Sequence, residues 1–141
     1  MTNKSFFTNF EESLILQRLW NFIAQNQIIR IKGLLGSSLS FYCSTIIKKS
    51  LNPSLFVFNN KEESLYFLND IETLNPEKKI FYFPELSKES YSNKYPNNYN
   101  LLQRTEVIEH LNFSKNKNSI IITHINACLL YTSDAADDSG C

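Results

Sequence analysis

Four short runs rich in β-branched and aromatic residues punctuate this chain: 28–32 (IIRIK), 55–58 (LFVF), 80–83 (IFYF) and 119–123 (SIIIT). Each is too short for a stable helix and has the composition of a strand. Between them lie longer stretches whose apolar residues recur every three or four positions, as one face of a helix requires. Strands that alternate with helices predict βαβ units, a parallel sheet and right-handed crossovers. The expected fold class is therefore α/β, with a parallel sheet of about four strands and helices on both faces. The run 55–58, wholly apolar, predicts a strand buried on both faces.

The helical stretches carry their own signals. Over 10–25, Leu16, Leu19, Trp20 and Ile23 make one apolar stripe. A second helix is expected to run to about Ser50, with Leu39, Tyr42, Cys43, Ile46 and Ile47 on one face, and Asn52-Pro53 stops it. Asn60, with Glu63 three residues on, resembles a capping box and opens a helix bearing Leu65, Leu68, Ile71 and Leu74. Residues 85–100, rich in Ser, Asn, Tyr and Pro, read as a long loop. A last helix is expected over 101–113 with Leu101, Ile108 and Leu111 turned inward.

A length of 141 residues and an apolar fraction of 43% suit one domain with a core. No apolar run approaches the ~20 residues of a membrane span, and the first residues lack the apolar block of a signal peptide. The expectation is a soluble, cytoplasmic protein. Acidic and basic residues number 14 each, but 128–141 holds Asp134, Asp137 and Asp138 and no basic residue. That leaves 14 basic against 11 acidic residues in the rest, a net of +3 and too mild to imply nucleic-acid binding. Lys48-Lys49 and Lys78-Lys79 sit at element ends and read as solvated surface. The three cysteines, Cys43, Cys128 and Cys141, have no CxxC spacing and no partnered histidines. Neither a zinc site nor a disulfide framework is indicated. The resulting organisation is a loose arm at 1–9, an α/β domain at 10–127, and a tail at 128–141. The tail string CLLYTSDAADD looks like translated sequencing-adapter read-through and is set aside from the fold, a disordered acidic C-terminus being the competing reading.

The loop after the first expected strand carries the most chemistry. Strand, glycine loop and helix is the setting of a P-loop, G-x-x-x-x-G-K-[ST]. The chain reads Gly33-Leu34-Leu35-Gly36-Ser37-Ser38-Leu39-Ser40. Gly33 is the first glycine of the pattern. Ser38 stands where the second glycine belongs, Leu39 where the lysine belongs, and Ser40 where the magnesium-binding hydroxyl belongs. Leucine cannot replace the point charge that meets the β- and γ-phosphates. Serine resists the backbone geometry glycine permits. The degenerate phosphate-loop positions are thus Gly33, Gly36, Ser37, Ser38, Leu39 and Ser40, and neither nucleotide binding nor hydrolysis is expected. A plain βα turn that needs its glycines is the competing reading of the same residues.

Other sites are thin. No G-x-G-x-x-G is present, and no aspartate ends LFVF or IFYF, so a dinucleotide fingerprint, a phospho-acceptor and a Walker B metal ligand are all missing. Cys43 lies on an apolar helix stripe, where a core role is expected rather than that of a nucleophile. His124 follows the last strand, at the carboxyl edge where α/β sites gather, and reads as a hydrogen-bonded turn residue. His110, beside Glu109 on a helix, is expected to be exposed. No catalytic residue, metal ligand or cofactor is assigned.

The order of these elements, with GLLGSS at 33–38, IFYFP at 80–84, LLQRTEVIEHL at 101–111 and SIIITHINA at 119–127, resembles the extreme N-terminus of the bacterial transcription-repair coupling factor. The specific points are the glycine-serine loop, Phe83-Pro84, and Arg104-Thr105-Glu106-Val107. The resemblance covers about 10–127. It implies a domain similar to the first domain of the B component of the excision-repair excinuclease, with a degenerate nucleotide site of P-loop NTPase type. The whole protein of that family is an ATP-dependent DNA translocase that removes stalled RNA polymerase and recruits the excinuclease through its A component. For this chain it implies a non-catalytic scaffold in DNA repair, contacting mainly neighbouring domains of its own chain. The main docking surface for the A component lies in a second domain that this chain does not reach. A small independent α/β enzyme or nucleotide-binding protein is the alternative.

Overall fold

The computed structural model describes residues 13–25, 28–86, 98–113 and 118–129. The arm at 1–9, most of the 85–100 loop and the tail from residue 130 onward lie outside the described residues. The chain falls into two compact units, Met1–Ser50 and Leu51–Cys141.

The first unit holds α1 (Leu14–Ala24) and α2 (Ser38–Lys49). Ser13 caps α1 by accepting from the Leu16 amide at 3.4 Å. Leu16 and Leu19 are buried and Trp20 and Ile23 half-buried, so the expected stripe is the inner face. In α2, Cys43 and Ile47 are buried with Ser40, Ser44 and Thr45, while Leu39, Tyr42 and Ile46 are half-buried. The expected strand at 28–32 does not form; these residues have no regular secondary structure, and Ile28 is almost fully exposed. Composition alone does not make a strand, because a strand exists only where its backbone pairs and its side chains pack.

The second unit runs β1 (Ser54–Phe58), α3 (Lys61–Leu74), β2 (Ile80–Phe83), α4 (Asn98–Phe113), β3 (Ile120–His124) and α5 (Ile125–Cys128). Among the described residues the sheet is parallel and has three strands, not four, in the order β1-β3-β2. Ser54 pairs with Ile120 and Ile80 with the same residue, so the strands are aligned at their amino ends. The crossover from β1 to β2 runs one way across the sheet and that from β2 to β3 runs back. With right-handed crossovers, a reversal of direction puts the two helices on opposite faces. Accordingly α3 covers one face, where the Phe67 ring lies 4.9 Å from that of Phe56 and 4.8 Å from that of Phe58. On the other, Val107 of α4 packs with Phe81 and Ile121, flanked by Phe83. The α3 N-terminus is capped as its sequence predicts: Asn60 Oδ1 accepts from the Glu63 amide at 2.8 Å.

Two burial expectations are corrected. In β1 the pattern alternates, with Leu55 65% and Val57 51% exposed, because β1 is an edge strand and α4 covers β2 and β3 on that face. In α4 the inward residue is Val107, whereas Leu101, Ile108 and Leu111 are each more than two-fifths exposed. The row that meets the sheet is Arg104, Val107 and His110, so a polar residue on either side of one valine takes the positions a leucine stripe would hold.

Candidate functional site

All three strands of the second unit point their carboxyl ends the same way, the edge at which α/β folds place their ligands. The residues there are Asn59 after β1, Pro84-Glu85 after β2, and His124 closing β3. His124 is 1% exposed and Tyr82 is buried beside it, their rings stacked with centroids 6.4 Å apart. A chain of polar contacts runs through them. Ser64 Oγ donates to the Lys61 carbonyl at 2.6 Å and lies 3.1 Å from the Tyr82 hydroxyl. That hydroxyl lies 3.3 Å from His124 Nδ1, and His124 Nε2 lies 3.5 Å from Glu85 Oε2.

The donors can be ordered. Ser64 has one proton, and the shortest contact assigns it to Lys61. Ser64 then accepts from Tyr82, and in this order Tyr82 accepts from His124 with a proton on Nδ1. The other ring nitrogen faces Glu85 and makes an ion pair with it only when the ring holds both protons. His124 is thus hydrogen-bonded, but as the last residue of β3 rather than a turn residue after it, within a buried network whose other members the residue types alone did not reveal. Tyr82 sits in the apolar run IFYF and Ser64 inside a helix, and neither stands out until the register places them together.

Arg104 secures the same edge. Its Nη1 donates to the carbonyls of Pro84 at 2.8 Å and Ala127 at 3.0 Å, and the guanidinium lies 3.9 Å from the centre of the Phe83 ring. Thr123 Oγ1 also donates to the Phe83 carbonyl at 2.8 Å. The ends of β2 and β3 are tied by side chains beyond the point where the ladder stops. Beside them opens a cleft of about 510 Å³, lined by Lys61, Leu65 and Leu68 of α3, Tyr82, Pro84 and Glu85, and Tyr99, Asn100 and Gln103 of α4.

The glycine-serine loop at 33–40 belongs to the first unit. Gly33 and Gly36 have φ of 84° and 53°, the left-handed region glycine enters without strain, so both are conformational requirements of the turn. Ser37 is the N-cap residue of α2 without a side-chain cap bond, and Ser38 Oγ donates to the Leu35 carbonyl at 2.7 Å. Leu39 is half-buried and Ser40 buried. The loop-helix half of the P-loop setting is present and the strand half is not.

His110 departs from its expectation. It is half-buried, its ring 4.6 Å from that of Phe81, and its Nε2 is buried with no hydrogen-bond partner. Cys43 is buried, and burial pushes its thiol from 9.0 up to about 12. Among the described residues no cluster of His, Cys, Asp and Glu has the makings of a metal centre, and no helix is long and apolar enough to cross a membrane. Comparison with protein-family models, curated proteins and solved structures found no match.

Proposed function

We propose that this chain is a non-catalytic scaffold module of transcription-coupled DNA repair, with a phosphate loop that has lost its ligand. The observation that carries the reading is the Arg104 contact set. Phe83-Pro84 and Arg104-Thr105-Glu106-Val107, which carry the resemblance to the coupling factor, are twenty residues apart in sequence, yet Arg104 stacks on Phe83 and donates to Pro84. They act as one device that holds the carboxyl edge of the sheet. Leu39 supports the second half of the reading: a half-buried aliphatic side chain at the helix start contributes packing where a nucleotide site needs a cation.

As a scaffold the module presents a fixed surface to the neighbouring domains of its own chain. The A component of the excinuclease, RNA polymerase and DNA are partners of the whole translocase. Calorimetric titration with magnesium-ATP is expected to give no heat of binding; micromolar affinity would overturn the nucleotide-free reading. An independent read of the gene past residue 127 is expected to continue into a translocase with helicase motifs. Sub-micromolar binding of the isolated chain to the excinuclease A component would move the docking surface into this domain.

One observation favours a second reading, a small α/β enzyme or nucleotide-binding protein: Tyr82 and Glu85, both part of the His124 network, also line the 510 Å³ cleft. That volume lies in the range of small-molecule sites, roughly 300–1,000 Å³. A metabolite panel scored by thermal shift separates the two, since the scaffold reading expects no ligand to shift the melting midpoint and the enzyme reading expects one that Glu85→Gln abolishes.

A further inference from the structure

We propose that the outer edge of β1 is the contact through which two copies of this chain pair, antiparallel, as a two-fold dimer. The proposal does not depend on the repair reading. It begins with hydrogen-bond direction. The Ser54 amide donates to the Ser119 carbonyl at 2.9 Å, toward β3. Alternation along a strand then turns the N–H and C=O of Leu55 and Val57 to the other edge. Among the described residues no strand pairs with that edge. The side chains of Leu55 and Val57 are also its exposed ones.

Such an edge matches its own copy. Antiparallel pairing centred on Phe56 sets Leu55 opposite Val57 of the second copy, and Val57 opposite its Leu55. Both are hydrogen-bonded pairs, giving about four backbone bonds. A two-fold axis normal to the sheet leaves the faces unexchanged, so the four aliphatic side chains meet on the α4 face in the cross-strand contacts that stabilise sheets. Charge does not oppose this. From Ser50 to Asn60 the chain has no charged residue, and the whole chain has a net charge of zero.

The other edge explains why the pairing closes. β2 is four residues long, begins beside Lys79 and ends at Pro84, and its central residues Phe81 and Tyr82 are buried. Lysine, proline and shortness are the usual protections of an edge. β1, preceded by Pro53 but one residue longer, has no lysine beside it, and its outward Leu55 and Val57 are exposed. One adhesive edge for each copy, matched with itself, gives an isologous dimer, whereas two would give a filament. A contact of one five-residue strand falls below the roughly 1,200 Å² of a standard interface, so a reversible dimer of micromolar or weaker affinity is expected.

The test is sedimentation of the full chain across a concentration series, with hydrogen exchange measured at both ends of it. A monomer-dimer equilibrium is expected, with slower exchange at the Leu55 and Val57 amides as concentration rises. Val57→Lys adds charge at the contact, and Leu55→Pro removes an outward N–H without touching the inner ladder. Each is expected to weaken dimerisation at least tenfold and leave the circular dichroism of the monomer unchanged. Tyr66→Lys, at a still more exposed site on α3, is the control and is expected to dimerise normally. A monomer at every concentration would overturn the proposal. So would open-ended aggregation, a dimer that survives both edge variants, or loss of the dimer in Tyr66→Lys.

Discussion

The Tyr82 hydroxyl stands between Ser64 Oγ at 3.1 Å and His124 Nδ1 at 3.3 Å, joining a helix on one face of the sheet to the last residue of the central strand. It is both acceptor and donor, and its removal leaves His124 Nδ1 without this partner and Ser64 Oγ with only its bond to the Lys61 carbonyl. Tyr82→Phe is therefore expected to lower stability by about 1–3 kcal/mol, the cost of an unsatisfied buried group, read from urea unfolding. The same donor order predicts that nitrogen NMR finds the His124 proton on Nδ1 in the native chain and a mixture of tautomers in Tyr82→Phe. An Nε2-protonated neutral ring in the native chain would disprove the assigned order.

Arg104 gives the next expectation. Arg104→Met keeps much of the aliphatic length over Phe83 but leaves the carbonyls of Pro84 and Ala127 without this donor. A loss of about 2 kcal/mol is expected, within the range for bonds to charged groups. Hydrogen exchange should rise around 84–86 and 125–129 and change little in β1. Uniform loss of protection across the unit would show that Arg104 acts through global stability, not as a local clamp.

How this arrangement could be read beforehand depends on the element. The parallel order, the Asn60 cap and the existence of the strand at SIIIT follow from period and composition, whereas the two-sided burial expected of 55–58 does not. The strand at 28–32 and the inward Leu101, Ile108 and Leu111 do not follow. In both, apolar composition points to burial, while burial is decided by what an element packs against. α4 meets the sheet with Arg104, Val107 and His110, a row without an aliphatic period. The Ser64-Tyr82-His124 network needs the register of β2 against β3, which no single segment carries.

His110 offers a stabilising substitution. Its Nε2 is buried without a partner against the Phe81 ring. His110→Phe keeps a ring at that place and removes the unsatisfied nitrogen. Stability is expected to rise by roughly 1 kcal/mol, the lower end of the cost of a buried unpaired polar group. A drop in the melting midpoint would mean that the imidazole makes a contact the phenyl ring cannot replace.

Cys43 sets a pH dependence. Its thiol is raised from 9.0 to about 12 by burial, so the folded chain keeps a proton that the unfolded chain gives up near pH 9. The stability contributed by the neutral thiol is complete below that pH and falls as pH rises toward 12, by up to about 1.4 kcal/mol per unit. Cys43→Ala is expected to flatten that alkaline limb. In the native chain a thiol reagent should label exposed Cys128 well before Cys43, since the thiolate is the reactive form. Rapid native-state labelling of Cys43 would contradict its burial.

The glycine-serine loop at 33–40 allows a test of the phosphate-loop reading. Ser38→Gly with Leu39→Lys restores the letters of the P-loop pattern. A working loop needs more than letters: its amides must converge on one phosphate, and in the P-loop a strand anchors the turn in that shape. Residues 28–35 form no strand, and Gly33 and Gly36 lie in a turn that leads into α2 from irregular backbone. Leu39 is moreover half-buried, so a lysine there carries a desolvation cost before it meets any phosphate. The double variant is therefore expected to bind magnesium-ATP no better than millimolar and to melt below the parent chain. Calorimetry and thermal unfolding read both halves. Micromolar ATP binding by the variant would show that the loop is an intact cradle lacking two side chains, and would return the chain to the nucleotide-binding class.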